Sequence, residues 1–236
     1  MSTVIQNAAG QALRAVIAGI MALRRPRPIH PHGVVITGTI AWHPRGAPSG
    51  IAWIDQPVGA AEDVLARLSR SIGLPRRLPD IYGLALRSSA SGGPADILLS
   101  STGLGVPARF LLAAHLSPTA ARFSSVLPYR GTNGPVLIAA RTISGPHLPT
   151  DPAEQAVGLA IEPWTLQLLH ATPGGRWRPF ATLTLSAGAG PVDDDALRFV
   201  PLASPPPGAA TYGWTHRLRE PSYARAQRRS EEPAPT

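Results

Sequence analysis

The sequence has no cysteine and no lysine, and each absence excludes a class of chemistry. Without cysteine the chain cannot form disulfides, zinc–thiolate sites or iron–sulfur clusters, and it has no thiol nucleophile. Without lysine it has neither a phosphate-loop lysine nor a Schiff base, and no G-x-S-x-G motif is present to seat a serine nucleophile. Any metal chemistry must therefore use histidine, tyrosine or carboxylate ligands.

All 22 basic residues are arginines, against 14 acidic residues, so the formal net charge is +8. Such a charge is typical of proteins that bind nucleic acids or anionic membranes. Here the arginines are scattered, with short runs only at 24–27, 76–77 and 217–229, and no stripe of aromatic residues accompanies them. We therefore expect no nucleic-acid partner.

The apolar stretch at residues 15–23 is followed by basic residues, which is the opposite order to that of a secretory signal. A membrane span of about 20 residues would have to include Gln11 and Arg14, so no transmembrane segment is expected. The apolar positions in this stretch recur with helical spacing and predict an amphipathic helix that packs on the core. The expected location is cytoplasmic.

A chain of 236 residues with 44% hydrophobic content can bury one sizeable core. The sequence therefore predicts a single domain over 1–236. Within it we expect residues 1–26 to form an N-terminal helical arm and residues 230–236 to form a disordered tail.

Most of the chain consists of short extended runs separated by Gly/Pro-rich turns, which is typical of closely spaced antiparallel strands. The eight candidate strands are 33–42, 50–54, 81–87, 96–100, 136–141, 157–169, 177–186 and 196–201. Helical spacing predicts a helix at 60–73, residues 108–116 are compatible with either state, and a terminal helix is expected after 204–208. The predicted fold class is α+β: an eight-stranded antiparallel β-barrel, or strongly curled sheet, with inserted and flanking helices.

Two short motifs near the ends of the chain carry candidate chemistry. "RPIHPHGVVITG" (27–38) places His30 and His32 just before the first strand, where they either bind a metal or belong to a turn. "REPSYARAQRR" (219–229) places Arg219 four residues before Tyr223. On a helix, that spacing sets a permanent positive charge beside the phenol and lowers its pKa. A tyrosine whose phenolate is stabilised in this way can ligate iron.

Taken together, these motifs resemble those of the catalase family of haem proteins. In that family R-x-x-H-x-x-G leads into the first barrel strand and delivers the distal histidine, and residues 27–33 match it. "ARLSRSIGLPRRLPDIYGLALR" (66–87) resembles the R-F-S segment and the Asp-x-x-Gly-x-Ala strand that follows it. "DILLSSTG" (96–103) is similar to the strand that carries the distal asparagine, and 219–229 resembles the proximal motif. The order of the four segments agrees with the family, and the resemblance spans roughly residues 27–229.

The resemblance implies a cofactor, haem b, and assigns residues to hold it. Tyr223 corresponds to the axial ligand of the haem iron, and Arg219 to the arginine beside it. Arg27 and Arg67 would pair with the two haem propionates, which need such partners when they are buried.

The resemblance also assigns the distal residues. His30 would take a proton from a hydroperoxide and return it to the leaving oxygen, while Ser69 orients its ring. Ser100 stands where the family has its asparagine, and "TGLGVPARF" (102–110) replaces an aromatic-rich stretch. Ser230 stands where the family has a third propionate arginine, unless Arg228 or Arg229 takes that role. A more open pocket favours peroxidase chemistry on organic hydroperoxides over disproportionation of hydrogen peroxide.

The expected function is therefore a haem peroxidase that acts on organic hydroperoxides or hydrogen peroxide with a small-molecule reductant; a homodimer is compatible with it. Two alternatives remain open. One is a catalase-fold barrel that has lost haem and binds an apolar small molecule. The other is a metal-dependent, phosphodiesterase-type hydrolase that uses His30, His32 and His43, although the chain lacks the Asp/His clusters that usually build a two-metal site.

Overall fold

The computed structural model describes residues 33–44, 46–57, 59–71, 78–89, 94–188, 197 and 199–215. The chain separates into two compact units, one formed by His30–Tyr212 and the other by Met1–Ile29 with Gly213–Thr236. In the second of these, the described residues are 213–215, which are helical. The helix predicted at 15–23, the arm at 1–26 and the tail at 230–236 all lie outside the described residues.

The described residues of the larger unit form nine strands, each antiparallel to its neighbours. They are β1 (Gly33–Trp42), β2 (Ala61–Arg70), β3 (Tyr82–Ser88), β4 (Ala95–Ser101), β5 (Arg122–Ser124), β6 (Tyr129–Gly131), β7 (Gly134–Ser144), β8 (Trp164–Ala171) and β9 (Arg178–Ala187). Around the sheet the order is β5-β4-β3-β2-β1-β9-β8-β7, and β5 also pairs with β7. That last pairing closes eight strands into an antiparallel barrel, while β6 forms a short hairpin with β7. The predicted fold class is confirmed.

The helices in the described ranges are short. They are α1 (Ala52–Asp55) and α2 (Pro152–Ile161), with 3-10 turns at Ala108–Phe110 and Pro118–Ala120. Asp151 caps α2, because its carboxylate accepts hydrogen bonds from the N–H groups of Ala153 and Glu154. In the part of the chain that the structure describes, no helix combines the length and the apolar content that crossing a membrane requires.

The hydrophobic core lies inside the barrel, because alternate residues of each long strand point inward. Phe123 and Trp164 are fully buried there, in an edge-to-face contact with their ring centroids 6.1 Å apart. Gly38 allows β1 and β9 to approach closely, since a Cβ at this position would come within 2.0 Å of the backbone oxygen of Thr184. The barrel wall is thus closed and its interior is filled with side chains.

Five predicted strands are confirmed. The prediction 33–42 coincides with β1, and 81–87, 96–100, 136–141 and 177–186 correspond to β3, β4, β7 and β9.

The helix predicted at 60–73 is wrong, because residues 61–70 form β2. Val64 and Leu68 have helical spacing, but Val64, Ala66 and Leu68 also alternate with the less buried Leu65 and Arg67, and all three point into the barrel. The strand conformation prevails because β1 and β3 pair with both edges of this segment.

Three predicted strands are wrong in whole or in part. Residues 50–54 lead into the helical turn α1, which buries Trp53 and Ile54. The single strand predicted at 157–169 is two elements, because α2 ends at Ile161 and β8 begins at Trp164. Of the strand predicted at 196–201, the described residues 197 and 199–201 are loop and turn.

Candidate functional site

The register of β1 to β4 brings three of the predicted site residues onto one outer face of the barrel. Ser69 pairs with Gly33 on one side and with Gly83 on the other, and Gly83 pairs with Ser100. Two residues further along each strand, a second row of outward-facing side chains crosses the same four strands. Together the two rows form what we call the Ser–Arg face: Gly33, Ser69, Gly83, Ser100, Val35, Arg67, Ala85 and Leu98.

Ser69 and Ser100 lie on either side of β3 in this face, so about 10 Å separates their strands. Ser69 is buried, and its hydroxyl donates to the carbonyl oxygen of Gly83 at 3.4 Å, which is a long and weak hydrogen bond. Ser100 is half-buried. Two hydroxyl groups thus stand in one row with only a glycine between them.

Arg67 lies one row further along, and its guanidinium group folds against Gly33. A Cβ at Gly33 would come within 2.9 Å of Cζ of Arg67, so a larger residue would displace the arginine. The remaining residues around the two serines and the arginine are small or apolar. The face therefore combines a positive charge and two hydroxyl groups with small or apolar neighbours, which suits a flat apolar ligand with acidic substituents.

A 3-10 turn bounds the Ser–Arg face on the side of β5. Ser124 pairs with Ser100, and the hydroxyl of Ser124 donates to the backbone oxygen of Arg109 at 2.9 Å. The Arg109 guanidinium is buried and stacks on Trp177 at 4.7 Å. It also donates to three backbone carbonyls of the β8–β9 turn, those of Thr172, Pro173 and Gly175. Burial lowers the pKa of Arg109, and we assign it a structural role that ties this turn to the edge of the face.

The outward-facing row next to the Ser–Arg face contains an ion pair that the sequence did not predict. The Asp96 carboxylate is fully buried and accepts two hydrogen bonds from Arg87, each of 2.7 Å. It accepts a third from the N–H of Val200, while Phe199 packs on the guanidinium at 5.0 Å. The bond to Asp96 raises the pKa of Arg87. No signal in the sequence indicates this pair, because only the β3–β4 register sets the two residues side by side.

Four of the predicted site residues, Arg27, His30, Arg219 and Tyr223, lie outside the described residues, so their roles stay predictions. His43 follows β1, and its Nε2 lies 2.9 Å from the hydroxyl oxygen of Thr182. The ten residues of β1 span roughly 30 Å and separate His43 from the start of the strand. A metal site shared by His43 with the two histidines that precede β1 is therefore not supported. In the described ranges, no three His, Asp or Glu side chains form a group that could hold a metal ion.

Solved structures of catalases share the architecture of this chain. Catalase A from Saccharomyces cerevisiae superposes with a TM-score of 0.61 at 15% identity, covering 86% of this chain and 61% of that one. A fungal catalase superposes with a TM-score of 0.60 at 14% identity, covering 92% of this chain and 62% of that one. A bacterial catalase superposes with a TM-score of 0.58 at 12% identity, covering 86% of this chain and 57% of that one.

The barrel has a catalase-like fold. At these identities the likeness extends to the fold alone, and the chain spans about three fifths of the length of those catalases. No family model matches the chain, and no curated protein matches it.

Two cavities of about 510 Å³ each open on this catalase-like barrel. The first lies over the two rows beyond the Ser–Arg face, and its lining includes Thr37, Thr39, Asp63, Leu65 and Ser89. The second lies around the last residue of β1, with Trp42, His43, Asp55 and Phe180 in its wall. Neither lining includes Arg67, Ser69 or Ser100, so both cavities lie outside the Ser–Arg face.

Proposed function

We propose that the chain binds haem b against the Ser–Arg face and acts on organic hydroperoxides or hydrogen peroxide. The observation that carries this proposal is the strand register, which sets Arg67, Ser69 and Ser100 on one face of a catalase-like barrel. When bound, haem supplies the redox-active iron that cleavage of a peroxide O–O bond requires.

The described residues fit such a group. Haem is a flat apolar macrocycle with two carboxylates, and the residues of the Ser–Arg face other than Arg67 and the two serines are glycine or apolar, which suits contact with its ring. Arg67 supplies a permanent cation that can bind one propionate, with Arg27 proposed for the other. Tyr223 would hold the haem iron through its phenolate, which Arg219 would stabilise.

The distal chemistry is assigned to His30 with the two serines. Among the described residues Ser69 forms one weak hydrogen bond, to Gly83, so its hydroxyl can exchange this partner for the His30 ring and hold the orientation of the imidazole. His30 then takes the proton of the hydroperoxide and returns it to the leaving oxygen. Ser100 donates to the peroxide, and because serine is shorter than asparagine it leaves space for a larger substituent.

The haem-free alternative, in which an apolar molecule occupies the barrel, finds less support. The side chains inside the barrel pack into one core cluster, and its largest members, Trp164, Tyr82 and Phe123, are fully buried. A ligand within the barrel would have to displace them.

The first test is the absorption spectrum of the protein after addition of haem b, for the wild type and for Tyr223→Phe. We expect a high-spin ferric spectrum with the charge-transfer band of phenolate ligation in the wild type and its loss in the variant. Tyr212→Phe is the matched control and should keep the spectrum. A wild-type protein without a specific haem spectrum, or one whose spectrum Tyr223→Phe leaves unaltered, would refute the assigned ligand.

The second test compares steady-state rates of the haem-loaded protein with cumene hydroperoxide and with hydrogen peroxide. An open distal pocket predicts faster turnover of the organic hydroperoxide. A much faster oxygen-evolving reaction with hydrogen peroxide would contradict that substrate preference.

A further inference from the structure

The second cavity has a wall of aromatic and proline side chains and is separate from the Ser–Arg face. Trp42 and Phe180 line it, and Trp53 packs behind both of them in edge-to-face contacts with ring centroids 5.7 Å apart. The indole N–H of Trp42 donates to the backbone oxygen of Trp53 at 3.0 Å, which fixes the orientation of its ring. The aromatic wall is thus held in place before any ligand binds.

Asp55 supplies the charge of this cavity. Its carboxylate accepts hydrogen bonds from the backbone N–H groups of Ser49 and Gly50 and from the hydroxyl of Ser49, at 2.7 to 2.8 Å. The side chain lines the cavity and is exposed to it. Among the described lining residues, Asp55 is the charged one, although the chain as a whole is strongly basic.

Directly behind the wall lies a buried histidine with an unused acceptor. His170 is 4% exposed, hydrogen-bonds the backbone of Ala47, and lies 6.1 Å from the ring of Phe180. Its Nε2 has no hydrogen-bond partner among the described residues. Burial lowers the pKa of His170, while Asp55 acts on it in the opposite direction. The ring is therefore neutral at physiological pH and does not itself oppose a cationic ligand, while the nearby Arg178 guanidinium lowers the same pKa further.

We propose that this cavity binds a small organic cation, with its ammonium group at Asp55 and its apolar or aromatic body against Trp42 and Phe180. A fixed carboxylate beside aromatic rings is a combination that attracts organic cations, through ion pairing and through the negative faces of the rings. A volume of about 510 Å³ accommodates a molecule of this class. The cavity lies roughly a full strand length from the Ser–Arg face, so this binding does not depend on haem.

The experiment titrates the haem-free protein with phenethylammonium and with 2-phenylethanol, its neutral analogue of similar shape. The readout is the indole N–H resonance of Trp42 in proton–nitrogen correlation spectra, assigned with Trp42→Phe. We expect a saturable shift with phenethylammonium and roughly tenfold weaker binding of the alcohol. Equal affinity for the two compounds, or no saturable shift, would overturn the proposal.

Two variants and a control separate the charge from the shape of the cavity. Asp55→Asn should lower the affinity for phenethylammonium to that for the alcohol. Ala60→Leu narrows the cavity without changing the hydrogen bonds of Asp55 and should weaken binding of both compounds. Glu162→Gln removes an exposed carboxylate elsewhere and should change neither affinity. The ligand pair decides the question in the wild type even if Asp55→Asn does not fold, and unchanged binding in Ala60→Leu would also refute the site.

Discussion

Single residues in this barrel depart from the usual pairing of buried polar groups. Tyr82 is fully buried inside the barrel, and its hydroxyl has no hydrogen-bond partner among the described residues. Burial raises its pKa to about 12, an effect that nearby Arg70 partly opposes and Asp80 reinforces. A hydroxyl group that is desolvated without a partner destabilises the folded state. The burial of this hydroxyl therefore lowers the free energy of unfolding.

Tyr82→Phe is expected to raise the free energy of unfolding by about 1 kcal/mol, because it removes an unpaired buried hydroxyl and retains the ring. Urea unfolding of wild type and variant at neutral pH measures the difference. A variant less stable than the wild type would show that the hydroxyl has a partner that stabilises it.

The same variant should change the response to alkaline pH. The pKa of Tyr82 is about 12 in the folded state and near 10 in an unfolded chain. Below pH 10 the hydroxyl is protonated in both states, so the wild type keeps its full free energy of unfolding there. Part of that free energy is lost as the pH rises from 10 through 12. The stability advantage of Tyr82→Phe should therefore grow over this range, by up to about 2 kcal/mol. A difference that stays constant between about pH 8 and about pH 11.5 would contradict the raised pKa.

Ser100→Asn tests the proposed distal role of this position. An amide reaches further than a hydroxyl and donates more firmly, so the haem-loaded variant should evolve oxygen from hydrogen peroxide about tenfold faster than the wild type. Thr37→Asn, on the same outer side two rows away, is the control and should leave the rate unchanged. Equal rates for Ser100→Asn and the wild type would remove Ser100 from the proposed site.

At the scale of elements, strand register decides which side chains meet. The helix predicted at 60–73 and the strand predicted at 157–169 both fail because apolar spacing alone is ambiguous over short segments. Pairing of β2 with β1 and β3 resolves the ambiguity for the first segment, and the N-terminal cap of α2 resolves it for the second. The same register aligns Ser69 with Ser100, and it pairs Arg87 with Asp96 across β3 and β4.

Asp96→Asn should therefore loosen the segment that follows β9. The variant leaves Arg87 without its carboxylate and weakens the bond to the N–H of Val200, so we expect a loss of about 2 to 4 kcal/mol in the free energy of unfolding. Hydrogen exchange of residues 199–204 should accelerate together with this loss. Asp63→Asn, at an exposed position of β2, serves as control. Unchanged exchange in Asp96→Asn would show that other contacts hold the segment.

At the scale of the whole molecule, one short strand closes the barrel. β5 has only three residues, yet it pairs with β4 on one side and with β7 on the other. Without it, the long strands β4 and β7 would each present an unpaired edge. Closure therefore depends on a contact between parts of the chain that are distant in sequence.

Ser124→Pro should open the barrel, because proline removes a backbone donor from a strand that is paired on both sides. We expect the free energy of unfolding to fall by about 3 kcal/mol or more. During thermal unfolding the exposed edges should cause aggregation, which light scattering measures. Ser124→Ala keeps the backbone and loses only the hydroxyl bonds, so it should cost about 1 kcal/mol. Equal stability of the two variants would mean that β5 is not essential for closure.

The amino-acid sequence by itself determined the chemistry that is excluded, the barrel class and five of the strands, because composition and the two-residue period of a strand are local properties. It also indicated Arg67, Ser69 and Ser100 as site residues through their resemblance to catalase motifs. Only the tertiary structure decided that these three share one outer face, that residues 61–70 are a strand, and that Asp55 stands beside Trp42. Each of these facts depends on pairing between distant segments, and a shift of one residue in register would turn the side chains to the opposite face.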